Sequence, residues 1–477
     1  MTPSSHLARP NLQKGRGTLT AQLVSYLRGM ITAHKLRAGD RLPPSRDLAR
    51  EWGVARGTLV EAIEILCSEE LLISRQGAGV FVSGQAERTP SAGFVVADSV
   101  VALPRKIPEP RMDQIRAART DFRPCRPSVE KFPFAVWRRL VADAAARAPS
   151  PDVADIQGAA SLRAEISDYL RRARSLTVPS DKVFVSMGIV HAVHLLSRLY
   201  LKPGSKVVME EPGYPLVRQI FELAGAEILP CPVDEDGLVV EALPDEGRDV
   251  AFVYVTPSHQ FPFGGRLSAA RRSALIEWAM THGAIVLEDD YDGEFRYDVP
   301  PLPPLAALPN ECVVYLGTFS KTLFPDLRVG YVAAQAPIIE ALKNYRAIHE
   351  YGVGTTLQLA LADFLASGQF DRHIARMSKL YRQKRNCLAL ALKEQGVPGN
   401  LAGLQSGLHS VLLFDPALDA EAVSGRAEKA GLLVPPISRY SLTPRRAPNG
   451  LVIGYAASSP GEIRDGVSML KEACRGE

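Results

Sequence analysis

The sequence predicts an α/β chain: a small helical unit with a two-stranded wing, followed by a large domain built on a parallel sheet. Three observations predict it. From Asp121 to the end, short apolar runs alternate with longer stretches of helical period, the pattern of strands joined by crossover helices. Two of those runs, 284–287 (AIVL) and 312–316 (CVVYL), are apolar at every position, as strands covered on both faces are. Residues 1–84 hold eleven Lys/Arg against seven Asp/Glu. That excess equals the net +4 of the whole chain, so everything after it balances.

With 477 residues the chain is long enough for two or more domains. The expected division is 1–84, a connector over 85–119, and 120–477. The six cysteines are scattered with no C-x-x-C pair, so neither a disulfide framework nor a zinc site is expected, and a reducing compartment such as the cytoplasm is. The stretch MTPSSHLARPNLQKGRG has no apolar run, so no secretory signal is expected. No run of about 18 apolar residues occurs, which predicts no membrane span.

Leu19, Leu23, Leu27 and Ile31 recur at helical spacing and predict a first helix over 18–34. Ser45 is the expected N-cap of a short helix ending at Trp52, broken by Gly53. A third helix starts near Ala55 and turns Leu59, Ala62, Ile63 and Leu66 inward. Apolar residues 71–73 and 80–82 flank QGAG, a wing with a glycine tip. Helix, short helix, turn, helix and wing make a winged helix-turn-helix, the third helix entering a major groove by its N-terminal end. A positive excess on this unit suits a duplex partner. Arg56 and Thr58 sit at that end, Arg46 at the start of the second helix where a phosphate is favoured, and Gly77 at the wing tip. A small helical protein-binding unit with solvated arginines has the same periodicity. Residues 85–119 are polar and proline-containing; FVVADSVVAL within them is either a short strand or a docked segment.

In the large domain, strands are expected over 182–186, 206–210, 250–255, 410–414 and 451–455, and helices over 137–147, 161–174, 189–201, 341–369 and 372–395. The last third reads as a small α+β subdomain. Ligands of open α/β sheets sit beyond the carboxyl ends of the strands. Asp289 and Tyr291 follow the run 284–287; Thr318, Ser320, Lys321 and Arg328 follow 312–316. An amine, a carboxylate, a phenol and phosphate donors at one mouth suit pyridoxal 5′-phosphate. Lys321 is then the Schiff-base lysine, Asp289 the partner of the ring nitrogen, and Tyr291 the donor to the ring oxygen. Thr318 and Arg328 hold phosphate, helped by the backbone at Gly188 where a helix begins, and Ser320 is a further cofactor contact. Tyr214, in EEPGYP, stacks on the ring or packs in its loop.

The N-terminal stretch LPPSR-x-LA…GVAR-x-TL…G-x-G-x-FV resembles the GntR-type winged-helix motif over about residues 18–83. The resemblance implies Arg46, Arg56, Thr58 and Gly77 as DNA contacts. Residues 120–475, with G-x-x-x-LR at 158–163, EEPGYP, TPSHQFP, EDDYDGEFRY and GTFSK…R-x-GY, resemble the fold-type I aminotransferases. Together they resemble the MocR-type transcriptional regulators. This implies a bacterial, head-to-tail homodimer that binds a double-stranded DNA operator and a small-molecule effector: a GABA-like, taurine-like or D-amino acid amine, or pyridoxal phosphate itself. The winged-helix part departs from its pattern at Glu69-Glu70-Leu71, where an acidic-glycine step is usual, and the aminotransferase-like part departs at three sites. Phe261 stands where the enzymes carry an Asn, and Ile189-Val190 where they carry polar phosphate ligands. Ala457 stands where GABA-responsive regulators carry an Arg that grips a carboxylate; Arg218 and Arg446 are candidate substitutes. The alternative is a working aminotransferase with an appended DNA-binding unit.

Overall fold

A computed structural model describes residues 7–13, 17–84, 118–147, 152, 155–245, 249–300, 302–350 and 352–476. The chain divides into two compact units between Lys106 and Ile107. That division lies in 85–117, so the expected connector up to 117, including FVVADSVVAL, is outside the described residues.

In the first unit α1 (Leu19–Thr32) is capped by Thr18, whose Oγ1 accepts the Ala21 N–H at 3.2 Å. Leu23, Val24, Leu27 and Ile31 are buried, but Leu19, expected inward, is 48% exposed. Each four-residue step rotates the stripe by about 40°, so a strict i+4 series drifts off the buried face. α2 (Ser45–Trp52) corrects a second expectation: Ser45 is its first helical residue, Pro44 takes the cap position, and no side chain caps it. Gly53 ends it in the left-handed region at φ 70°. α3 (Arg56–Ser68) buries Leu59, Ala62, Ile63 and Leu66. β1 (Leu72–Arg75) and β2 (Gly79–Val82) pair antiparallel as the wing.

Trp52 is 1% exposed and meets Tyr26 edge-on, ring centroids 5.6 Å apart. Trp52→Ala is expected to destabilise this unit by about 3–5 kcal/mol, the usual cost of emptying a buried tryptophan site. Urea unfolding of the full chain should show an early transition in the variant, and an unchanged curve would contradict this packing.

The large unit contains β3 (Thr120–Asp121), β4 (Val183–Ser186), β5 (Lys206–Glu211), β6 (Glu227–Asp234), β7 (Gly237–Leu238), β8 (Val250–Val255), β9 (Ile285–Asp290), β10 (Val313–Thr318) and β11 (Gly330–Ala333). Its eight-stranded sheet runs β4-β11-β10-β9-β8-β5-β6-β7. The β10-β9-β8-β5-β6 block is parallel, β11 lies antiparallel between β10 and β4, and β7 is antiparallel to β6. Val314 and Leu316 join one core while Tyr315 and Val313 join others. Burial on both faces is why the run 312–316 is apolar without alternation.

The stretch 341–369 is not one helix. A helix Ala336–His349 ends at Glu350, and a second, Thr355–Ala366, follows Gly352 and Gly354. Gly352 has φ 81°, which no continuous helix accommodates. The 27-residue helix Gln369–Gln395 then leads to the small subdomain. There β12 (Asn400–Ala402), β13 (His409–Leu413) and, after β14 (Leu432–Leu433), β15 (Gly450–Gly454) form a three-stranded antiparallel sheet. Helices Ala420–Lys429 and Pro460–Arg475 cover it, and β14 pairs with β3.

Candidate functional site

β8, β9 and β10 are parallel neighbours, so their carboxyl ends open at one edge of the sheet. A cavity of about 570 Å³ lies there. Tyr214, Asp289, Tyr291, Thr318, Ser320, Lys321 and Arg328 all line it. Gly188 adjoins it. It caps the helix Ile189–Tyr200 at φ 90°, and a Cβ added to it would stand 3.4 Å from Arg328 Nη2.

Asp289 is 3% exposed near the end of β9. The Tyr254 hydroxyl donates to its Oδ2, while Oδ1 is buried with no hydrogen-bond partner among the described residues. Burial pushes this carboxyl up to about 8; the Tyr254 bond opposes that rise, and the nearby Asp290, Asp292 and Glu210 carboxyls add to it. Burial thus favours the protonated form of Asp289 near neutral pH.

Lys321 lies three residues past the end of β10, half-buried, and its Nζ donates to the Cys125 carbonyl at 2.8 Å. Thr318 Oγ1 accepts the Ser320 N–H at 3.1 Å, which turns the chain sharply behind the lysine. Ser320 Oγ is a second buried atom with no partner among the described residues. Arg328 sits in the left-handed region at φ 52° and donates to the Met187 carbonyl at 2.7 Å. Its guanidinium thus lies against the N-terminus of the Ile189–Tyr200 helix, where backbone N–H groups and helix dipole favour an anion.

Tyr291 hydroxyl and Asp292 Oδ2 both lie 2.9 Å from His259 Nδ1. Donation to the carboxylate fixes the proton on Nδ1, and the phenol hydrogen is then left to point elsewhere. His259, Asp292 and His409 come within metal-ligand spacing, but His409 Nε2 is already committed to the Pro262 carbonyl at 3.1 Å. Tyr214 caps the helix Pro215–Leu223 and meets Phe261 edge-on at 5.8 Å.

Neither arginine expected to replace a residue-457 guanidinium reaches the cavity. Arg218 is 2% exposed and donates to the Tyr440 carbonyl at 2.9 Å, and Arg446 is exposed in the turn Pro444–Arg446. Arg123, Arg126 and Arg439 line the cavity instead. Sequence reasoning missed them, as it missed Tyr254, Cys125 and the His259–Asp292 pair. The only signal was FRPCRP itself, two arginines among turn-forming prolines with no period to place them.

The donor set fits pyridoxal phosphate. Lys321 offers the amine, Asp289 Oδ1 a proton for a ring nitrogen, and Ser320 Oγ, Thr318 and Arg328 bonds to a phosphate.

In the first unit Arg46 is the second residue of α2 and Arg56 the first of α3; both are exposed and pair with no described residue. Thr58 is half-buried in the first turn of α3, and Gly77 has φ 74° in the exposed wing turn closed by Ala78 N–H to Arg75 O at 3.0 Å. Among the described residues no helix is long and apolar enough to cross a membrane.

Residues 126–470 match the family model "Aminotransferase class I and II", and residues 19–82 match "Bacterial regulatory proteins, gntR family". The chain is 34% identical to the HTH-type pyridoxine biosynthesis transcriptional regulator PdxR of Corynebacterium glutamicum, covering 96% of both chains. It is 32% identical to the probable rhizopine catabolism regulatory protein MocR of Rhizobium meliloti, covering 95% of this chain and 93% of that one. Among solved structures it resembles LysN, the α-aminoadipate aminotransferase of Thermus thermophilus complexed with N-(5′-phosphopyridoxyl)-L-leucine. There the TM-score is 0.68 and the identity 26%, over 75% of this chain and 92% of LysN. A gntR-type DNA-binding unit and a class I and II aminotransferase unit in one chain, aligned end to end with such regulators, mean that this protein belongs to the MocR-type family of DNA-binding transcriptional regulators.

Proposed function

We propose that the chain is a pyridoxal-phosphate-dependent regulator that reads a small amine through its large unit and a DNA operator through its small one. The observation that carries this is the cavity: Lys321's amine shares it with two buried oxygens, Asp289 Oδ1 and Ser320 Oγ, that have no hydrogen-bond partner among the described residues. Buried polar atoms cost about 1–3 kcal/mol each when left unmade, which favours a ligand that satisfies them. Bound there, the cofactor supplies an aldehyde that exchanges one amine for another. Lys321 is the resident amine, and Asp289 holds a proton against the ring nitrogen. Tyr291 donates to the ring oxygen with His259 behind it, and Tyr214 covers the ring. Thr318, Ser320, Arg328 and the helix start at Gly188 hold the phosphate. An amine effector, GABA-like, taurine-like or a D-amino acid, would compete with the Lys321 amine for this cavity and bias the large unit toward a different closure.

In this reading residues 1–84 bind DNA, 85–119 connect, and 120–477 sense. Two chains pair head to tail in the cytoplasm, so that closure alters the spacing of two half-sites. The relative named for pyridoxine biosynthesis favours a second reading, in which occupancy by pyridoxal phosphate is itself the signal. Ala457 counts against net transamination, because residue 457 itself then offers a substrate carboxylate no guanidinium. Selection from a random duplex pool with holo- and apo-protein tests the regulator: a recovered site with two half-sites, bound differently once an amine or the cofactor is added, is expected. Repeated turnover with a keto-acid and no effect on DNA would favour the enzyme.

On the recovered site, Arg56→Ala is expected to cost about 1–3 kcal/mol if Arg56 reads a base edge. The loss should then be larger on the site than on random duplex. Equal loss on both assigns Arg56 to a phosphate, with the salt slope falling by about one.

A further inference from the structure

We propose that Arg126 is the anion anchor of this cavity, gripping the acid group of the amine effector in place of the guanidinium absent at residue 457. The inference rests on the amine-sensing reading above and names the group that selects among amines.

The segment that follows β15 and carries Ala457 lies beside residues 121–126. Gly454 N–H donates to the Phe122 carbonyl at 2.7 Å, and Ser458 Oγ reaches the Asp121 carbonyl at 3.5 Å. The chain that borders Ala457 therefore holds two arginines. They share one carboxylate. Arg123 grips Asp121 through Nε at 2.9 Å and through Nη2, and Arg126 touches it through Nη1. The two are not equivalent. The Arg123 side chain is 11% exposed and braced, whereas that of Arg126 is 45% exposed and lines the cavity. Asp121 is thus engaged by Arg123 on two nitrogens and by Arg126 on one. The rest of the Arg126 fork is left to an anion that presents two oxygens, which a guanidinium binds bidentately. Burial pushes the Asp121 carboxyl up, but the Arg123 hydrogen bonds and the Arg126 charge outweigh it and hold it below the ordinary range. Asp121 therefore stays anionic and keeps Arg126 oriented.

Position also suits the part. The Cys125 carbonyl accepts from Lys321 Nζ, and Arg126 is the next residue. An effector whose amine arrives at Lys321 brings its tail beside this guanidinium. Carboxylate and sulfonate tails share the needed chemistry.

The test is a spectral titration of full-length holo-protein with 4-aminobutyrate, taurine and the neutral-tailed 4-amino-1-butanol. Wild type should favour at least one acid-tailed amine over the alcohol by about tenfold or more, the advantage of a charge-assisted bidentate contact. Arg126→Gln should bring that ratio near one by weakening the acid-tailed amine far more than the alcohol. Arg126→Lys, which keeps the charge and loses the fork, should fall between. Arg126→Gln combined with Ala457→Arg should restore the preference. An acid preference that survives in Arg126→Gln, or is absent from wild type while amines of every tail bind, overturns this inference alone. A spectrum that no amine perturbs overturns it together with the sensing reading.

Discussion

Lys321→Ala is expected to abolish covalent capture of pyridoxal phosphate: after borohydride treatment the variant should carry no pyridoxyl adduct, whereas the wild type should carry one on the peptide containing residue 321. The effect is all-or-none because Lys321 is the one lysine among the residues that line the cavity. Among the described residues no other lysine lines this cavity. The variant should still fold. Lys321 is half-buried, and its bond to the Cys125 carbonyl is worth about 1–3 kcal/mol, a modest part of the stability of a unit this size. Near-ultraviolet dichroism and melting temperature of the apo-protein should therefore match wild type, which separates lost chemistry from lost structure. Peptide mapping decides the matter. An adduct on any other lysine in the wild type, or an undiminished adduct in the variant, removes the basis for placing the cofactor in this cavity.

What was legible beforehand follows from where the signal lies in the chain. Asp289, Tyr291, Thr318, Ser320 and Lys321 stand within a few residues of apolar runs, and a parallel sheet delivers every such strand end to the same edge. Lys321 and Asp289 could thus be brought together from two strands alone. The strand over 250–255 was visible for the same reason. Partners contributed by loops and by the far end of the chain were not. Arg126 reaches the cavity because residues 121–126 lie along the segment after β15, more than 300 positions later in the chain, and no local pattern encodes that pairing. His259 sits in a Pro/Gly turn, and its bond to Tyr291 depends on how that turn packs. β6 carries Pro230 and Pro232, which weaken any strand pattern, and it lies near the sheet edge where they are tolerated. The break after His349 is hard to read because both flanking stretches keep a helical period, and two glycines are a faint signal between them.

Asp289→Asn should act in opposite directions on the apo- and holo-proteins. In the holo-protein the carboxylate faces a protonated ring nitrogen in a buried site. Replacing one partner of such a pair leaves a charge without its counter-ion, a loss of about 3–5 kcal/mol. Cofactor affinity should fall by roughly a hundredfold or more, each 1.4 kcal/mol being about tenfold. In the apo-protein the same carboxyl is a burden. Its folded value is pushed to about 8 by burial, against about 3.9 in an unfolded chain. Between those limits the folded state keeps a proton that the unfolded state has released. Stability conferred by the protonated form is therefore lost as pH rises from about 4 to about 8, and levels off above. Asn cannot ionise, and it can still accept from Tyr254, so this component of the decline disappears. Glu210, Glu288 and Glu294, each pushed to about 7 mainly by burial, carry declines of the same sign, so the curve flattens only in part. Melts of both apo-proteins from about pH 5 to about pH 9 should show the variant gaining on the wild type as pH rises, while cofactor titration at neutral pH shows it losing. Parallel melting curves would mean that Asp289 is ionised before any ligand arrives. Its proton would then have to come with the ring nitrogen instead of waiting in the cavity.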